Sequence, residues 1–316
     1  MRLLFSGLVE EVSMPPYFGV CYSPYHRTNK EPPHDVSAEE VGADMAIIKS
    51  RKLTHIRTYS AASGNRHNVG KAAEHGLQVG LGIWIDNNVP NNGLIDEALT
   101  QALDAASAYP DRHTVVDLVI GNEVNRTDDK APLDPVVILN YIKYAKQQLQ
   151  LNKYASIKNI RVTSCFSGTV LQKPDSIWVD VVDNCDGVVY LTVYPWYAKK
   201  NEGAPQPDNI TNNMNWSWDK GGLQQVVDRG KSIVIAEIGW PSAGGDADHS
   251  PTTTENERIN YQTTKRFLSG ETARHWALDT FWFEMFDEPW KTKEGSWGPH
   301  WGLYESGPDP KPKFDF

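Results

Sequence analysis

Hydrophobic positions along the chain fall into short runs rich in β-branched and aromatic residues, each separated from the next by a stretch long enough to hold a helix. Eight runs are predicted as strands: 17–22, 54–59, 78–85, 115–121, 157–164, 187–194, 232–237 and 279–286. Between them the spacing predicts amphipathic helices over 37–53, 65–75, 94–109, 134–151 and 254–268, with weaker signals over 175–182 and 220–228. Ser37 with Glu40 three residues on reads as a capping box at the start of the first helix, and Gly76 stops the second. Runs such as VGLGIWI and DGVVYLTVY are apolar at nearly every position, as befits parallel strands that helices cover on one face and a core fills on the other. Regular β–α alternation over eight strands predicts an α/β protein of the (β/α)8 (TIM) barrel type, a doubly wound open sheet being the alternative. No Pro/Gly-rich linker divides the chain, so 1–316 reads as a single domain, with 1–16 an extension outside the fold.

A barrel places functional side chains at the carboxyl ends of its strands. Those ends read Cys21-Tyr22-Ser23, Arg57-Thr58-Tyr59, Trp84-Ile85-Asp86, Gly121-Asn122-Glu123, Tyr194-Pro195-Trp196-Tyr197 and Glu237-Ile238-Gly239-Trp240, with Glu284 through Lys291 after the eighth strand. Only the fifth, ending Thr163-Ser164-Cys165, is plain. One rim therefore gathers carboxylates, tyrosines, tryptophans, an arginine and a lysine. Such a set suits an uncharged polyhydroxylated ligand, bonded at its ring edges and stacked on its faces.

Composition narrows the chemistry. The net charge of −9 comes without a basic stripe, which argues against nucleic acid or an anionic membrane surface as partner. No apolar run approaches the roughly 20 residues that cross a bilayer. Eleven Trp and 13 Tyr are an unusual aromatic load, divided by position between core and ligand contact. Cys21, Cys165 and Cys185 show neither a disulfide framework nor a metal or redox spacing, and read as core residues. The histidines lack a two-His spacing with a carboxylate, so no catalytic metal and no cofactor are expected. Signatures of a nucleophilic serine elbow, a Walker loop and a dinucleotide fold are missing from the sequence. Arg2 with the short apolar stretch 3–9 makes a poor signal peptide, and the sequons at Asn125, Asn209 and Asn215 do not establish secretion.

Glu123 and Glu237 each follow a string of apolar residues, where a carboxylate is costly unless paired or used. Cleaving a glycosidic bond needs one carboxylic acid to protonate the leaving oxygen and a second carboxylate across the anomeric carbon; their separation decides between retention and inversion, and the sequence leaves both open. The competing reading of each is a buried ion pair with Arg57 or Lys291. Arg57 itself reads either as a ligand contact or as the partner that keeps a neighbouring carboxylate ionised.

The motifs GVCYSPY (19–25), IRTYS (56–60), VIGNEVNR (119–126), VYPWY (193–197), AEIGWPSAG (236–244), FWFEMFDEPWK (281–291) and WGLY (301–304) together resemble glycoside hydrolase family 17, the retaining β-1,3-glucanases and β-1,3-glucanosyltransferases. The resemblance implies that Glu123 is the general acid/base and Glu237 the nucleophile, that Asn122 contacts the sugar being cleaved, and that Tyr22, Tyr59 and Tyr194 are active-site tyrosines. It also matches Glu288 and Lys291 to a polar pair on strand 8. With Arg57, Asp86, Trp196, Trp240 and Glu284 from the rim, these form the expected substrate site, and Trp196, Trp290, Trp297 and Trp301 are expected to line acceptor subsites. Where plant members carry Asn-Glu-Asn-Gln-Lys, this chain has Asp287-Glu288-Pro289-Trp290-Lys291, which resembles the fungal and bacterial branch that contains transferases. The implied function is a retaining β-1,3-glucan hydrolase/transglycosylase, a monomer with a glucan as its partner, working outside the cell, in the periplasm or at a cell envelope. A strictly hydrolytic endo-glucanase, a barrel hydrolase on another β-glycan and a non-catalytic glucan-binding barrel remain the alternatives.

Overall fold

In the computed structural model, residues 15–85, 94–110, 113–126, 133–173 and 175–316 are described. Eight strands close into a parallel barrel in chain order, each pairing with the next and β8 with β1. They are β1 (Phe18–Cys21), β2 (His55–Thr58), β3 (Gln78–Ile83), β4 (Val115–Ile120), β5 (Arg161–Ser167), β6 (Val188–Thr192), β7 (Ser232–Ile238) and β8 (Asp279–Trp282). The helices are α1 (Ala38–Ser50), α2 (Asn68–Glu74), α3 (Leu94–Ser107), α4 (Pro135–Leu149), α5 (Val179–Asn184), α6 (Thr211–Asp219), α7 (Leu223–Asp228) and α8 (Thr254–Phe267). The (β/α)8 expectation holds. The expected extension over 1–16 falls almost wholly outside the described residues.

Ser37 caps α1 through the expected box, its hydroxyl accepting from the Glu40 N–H while the Glu40 carboxylate accepts from the Ser37 N–H. Several element limits differ from the sequence reading, those of β5 and β8 among them, and one helix is added. The fifth strand runs 161–167 rather than 157–164, because Asn152–Ile157 forms a 3-10 segment whose Ile157 is buried against the core. β8 leaves the ladder after Trp282, four residues earlier than the apolar run implied. The helix α6 was not expected, since its Asn- and Trp-rich sequence has weak helical propensity; burial of Met214 and Trp218 holds it in place.

Alternation along the strands divides the apolar residues into two cores. Val20, Ile56, Val79, Leu81, Ile83, Leu118 and Ile120 belong to the large core between strands and helices. Cys21, Val119, Cys165, Val188, Tyr190, Val234, Ala236 and Phe281 fill the barrel itself. All three cysteines are free and buried.

The register shifts between β3 and β4, at Val79 and Gly80, and again in β7, where the break in alternation positions a functional residue. Ile235 lies opposite Leu191, while Glu237 rather than Ala236 lies opposite Thr192; on the other side Ile235 pairs with Thr280 and Ile238 with Trp282. One extra residue is accommodated in β7 on both edges. Ala236 faces the barrel interior and Ile238 the outer core, so the residue between them, Glu237, is freed from strict alternation and also turns inward.

Candidate active site

Glu237 sits at the carboxyl mouth of the barrel, nearly buried, with donors on both of its oxygens. Arg57, from the end of β2, bonds Oε1; Tyr59, two residues on, donates its hydroxyl to the same oxygen at 2.9 Å, and Tyr194 donates to Oε2 at 2.7 Å. Arg57 also reaches Asn122 Oδ1 at 2.5 Å, tying β2 to the end of β4. Burial drives the hydroxyl pKa values of Tyr59 and Tyr194 well above the usual range, with the Glu237 charge adding to it, so both remain donors. The carboxylate is thereby fixed in one orientation by three groups from the ends of two strands, β2 and β6.

Glu123 follows β4 in a left-handed conformation, φ +47°, which turns its side chain back over the mouth. Thr192 Oγ1 donates to its Oε1 at 2.5 Å and Arg126 Nη1 to its Oε2 at 2.8 Å. Thr192 lies opposite Glu237 in the ladder, so one residue of β6 touches the first acid and neighbours the second. Burial raises the Glu123 pKa, the nearby Glu237 charge raises it further, and Arg126 and Thr192 oppose both. Two carboxylates on one rim thus have different surroundings: Glu237 is clamped by three donors, while Glu123 is pushed toward its protonated form. That contrast separates an attacking carboxylate from a proton donor.

A second polar array stands beside them. Lys291 Nζ lies 2.9 and 2.8 Å from the two oxygens of Glu284 and 2.5 Å from Glu288 Oε2. Ser23 Oγ, at the end of β1, donates to Glu288 Oε1 at 2.5 Å, and the Trp290 indole N–H to the same oxygen at 3.2 Å. Burial raises Glu284 well above the usual carboxylate range, with the Glu288 charge adding to it. Burial acts on Glu288 in the same sense, but the Lys291 charge and the hydrogen bonds overcome it and hold its pKa below the usual value. The pair expected from the sequence is therefore a triad of Glu284, Glu288 and Lys291.

The structure brings together Glu123, Glu237, Arg57, Tyr59, Asn122, Tyr194, Glu284, Glu288 and Lys291. Asp86 lies outside the described residues. Three expected ligand contacts are corrected. Tyr22 follows the inward Cys21 and so faces outward; it is fully buried and donates its hydroxyl to Asp44 of α1 at 2.7 Å. Trp196 and Trp240 are likewise fully buried, their indole N–H groups donating to the carbonyls of Ser250 and Pro251 at 3.0 and 3.1 Å, which fastens the segment before α8. Of the expected acceptor tryptophans, Trp301 is also buried, whereas Trp290 and Trp297 are partly exposed. Arg57 is buried too and acts through Glu237 and Asn122. Thr192, Arg126 and Ser23 had no assigned part; inward alternation marks Thr192 beside Glu237, but the partners of all three depend on long-range packing. Among the described residues no group of three or more His, Cys, Asp or Glu side chains is placed to hold a metal ion.

The curated relatives include the glucan endo-1,3-beta-glucosidase btgC of Emericella nidulans, 26% identical over 321 residues that cover 93% of this chain and 45% of that protein. The probable glucan endo-1,3-beta-glucosidase btgC of Aspergillus fumigatus is also 26% identical, covering 93% of this chain and 42% of its own length. The chain spans less than half the length of these relatives. Among solved structures, an endo-laminarinase from Formosa Hel1_33_131 superposes with a TM-score of 0.74 at 20% identity, covering 92% of this chain and 83% of the other. An active-site mutant of a Rhizomucor miehei beta-1,3-glucanosyltransferase, in complex with laminaritriose, superposes with a TM-score of 0.68 at 24% identity, covering 94% of this chain and 96% of the other. The fold they share with this chain is the barrel. The BtgE/BtgC glycoside hydrolase domain model matches residues 19–302, a stretch that holds every motif of the sequence reading except the end of WGLY, and the chain belongs to that family.

Proposed function

We propose that the protein cleaves β-1,3-glucan with retention of configuration, by double displacement, and passes part of the released glycosyl group to a second sugar. The observation that carries this reading is the contrast between Glu123 and Glu237 at one barrel mouth. Glu237 attacks the anomeric carbon while the Glu123 proton passes to the departing glycosidic oxygen; a covalent glycosyl-enzyme results. Water or a sugar hydroxyl then attacks that carbon, Glu123 takes up its proton, and the Glu237 carboxylate is released. In this reading Asn122, whose Oδ1 accepts from Arg57, bonds the sugar under attack. The glucan as substrate is supported by the names of the curated relatives and of the two solved structures.

Transfer is favoured by aromatic surface on the acid side. Tyr197, after β6, is 39% exposed, and Trp297 is half-buried with its indole N–H 3.4 Å from the Tyr197 hydroxyl. An acceptor sugar resting there competes with water for the glycosyl-enzyme. We take the enzyme to work as a monomer at a cell wall or envelope, where such glucans lie.

Incubation with laminari-oligosaccharides tests the whole reading. Products longer than the substrate are expected, together with shorter ones released first as β-anomers. Release of α-anomers would replace retention by inversion, and an unchanged substrate would leave a glucan-binding barrel.

A further inference from the structure

We propose that Trp84 is a sugar-stacking platform on the glycone side of the cleavage point, a subsite that takes an uncharged β-glucan residue beyond the one attacked by Glu237. The inference rests on the glucan-cleaving reading above and adds a direction to the bound chain.

Strand alternation aims this residue. Val79, Leu81, Ile83 and Ile85 all pack into the outer core, so Gly80, Gly82 and Trp84 face the barrel axis. The two glycines leave that side of β3 bare: a Cβ on Gly80 would meet the Tyr190 hydroxyl at 2.8 Å, and one on Gly82 the Thr58 carbonyl at 2.5 Å. Trp84, one residue past the end of β3, is thus the first side chain after Gln78 on that face, and it emerges at the mouth. It is 52% exposed, while Trp196, Trp240, Trp276, Trp282 and Trp301 are all fully buried. A large aromatic that folding leaves in water at the edge of a carbohydrate cleft has most of its face free for a ligand.

Its place relative to the two acids gives the polarity. The Trp84 ring meets the Tyr59 ring edge-on with centroids 6.5 Å apart, and the Tyr59 hydroxyl bonds the nucleophile. The other exposed aromatic of the mouth, Tyr197, follows β6, whose Thr192 donates to Glu123 at 2.5 Å, and its ring meets that of Tyr194, which bonds the opposite oxygen of Glu237 from Tyr59. The proton donor faces the leaving oxygen, so the leaving chain extends past Tyr197. Trp84, three strands away from β6 and beside the Tyr59 that bonds the other oxygen of Glu237, takes the opposite arm.

Aryl β-glycosides with one leaving group and one, two or three β-1,3-linked glucose residues test this. Binding energy gained remotely from the bond under attack is expressed in the transition state, so kcat/KM of the unaltered enzyme rises with donor length. In Trp84→Ala the ratio of kcat/KM between the three-residue and one-residue donors is expected to fall about tenfold or more, with Trp84→Phe intermediate and the thermal midpoint of both close to that of the parent. An unaltered ratio in Trp84→Ala, or a defect that follows acceptor concentration rather than donor length, would overturn the platform. If the unaltered enzyme turns over none of the donors, the catalytic reading fails instead. The platform is then judged by calorimetry with laminarihexaose, which Trp84→Ala must bind at least about tenfold more weakly.

Discussion

The two ends of the barrel carry nearly the same ion-pair chemistry and put it to different uses. At the amino end Asp117 of β4, fully buried, accepts from Arg161 Nε and Nη2 at 2.6 and 2.9 Å and from the Tyr190 hydroxyl at 2.8 Å. At the carboxyl end Glu237 accepts from Arg57, Tyr59 and Tyr194. Each is a carboxylate held by an arginine and tyrosine hydroxyls inside one cylinder. At the amino end the strand neighbours Asp117 and Arg161 satisfy each other across the ladder, and Tyr17 stacks on His55 with ring centres 3.7 Å apart and packs against Phe281. A second carboxylate, Asp279 at the start of β8, is near enough for burial and the Asp117 charge to raise its pKa, but it accepts from the Tyr17 backbone N–H at 3.0 Å under the packed Tyr17 and Phe281 rings and faces no exposed aromatic surface among the described residues. The carboxyl end adds Glu123 within reach of the Glu237 charge and leaves exposed aromatic surface around the pair. A buried carboxylate is thus no mark of catalysis by itself; a differently tuned partner beside an open surface is.

The comparison is sharpened most by removing the clamped acid of the upper end. Glu237→Gln keeps size and most donors, so the fold should survive while kcat on laminari-oligosaccharides falls on the order of 10⁴-fold or more, as followed by product chromatography. Next is Glu123→Ala, expected to lose about 10²–10⁴-fold on the natural glucan. Its loss should be much smaller on a donor with a good aryl leaving group, and added azide should restore turnover and yield a β-glycosyl azide; an α-product would contradict retention.

The lower end should behave in the opposite way. Asp117→Ala leaves the Tyr190 hydroxyl without its acceptor, but Arg161 is half in water, so the cost is expected at about 2–4 kcal/mol of stability. Urea unfolding would show it, with kcat of the folded enzyme within a few-fold of the parent. A collapse of kcat at unchanged stability would make the amino end part of the site.

The smallest effect concerns protons. Arg126 holds the Glu123 pKa down against burial and the Glu237 charge, so Arg126→Ala should raise it. A general acid works while protonated, and the high-pH limb of kcat/KM should therefore move to higher pH. A limb that stays in place or moves down would detach Arg126 from the acid.

The barrel was legible because parallel strands buried on both faces leave apolar runs that no other element needs, and because helices at regular spacing must cover them. The runs lost their accuracy where an apolar residue served another element, as Ile157 does in its 3-10 turn, and where a polar helix such as α6 is held by two buried side chains. In the site, Glu123 and Glu237 stood out because a carboxylate after an apolar strand has to be explained. The tryptophans did not sort themselves: Trp196 and Trp240 share motifs with the rim yet bind backbone carbonyls near α8, and Trp84 drew no special notice.

The sequence by itself determined the count and order of the strands, the rim on which the acids lie and the family to which the chain belongs, since periodicity and motif order are local properties. Which side chains face the mouth was decided only in the folded barrel. Tyr22 is turned away by simple alternation, while Glu237 is turned inward by an extra residue in β7 that exists only relative to the registers of β6 and β8. Register is a relation between strands distant along the chain, and a single chain read residue by residue does not contain it.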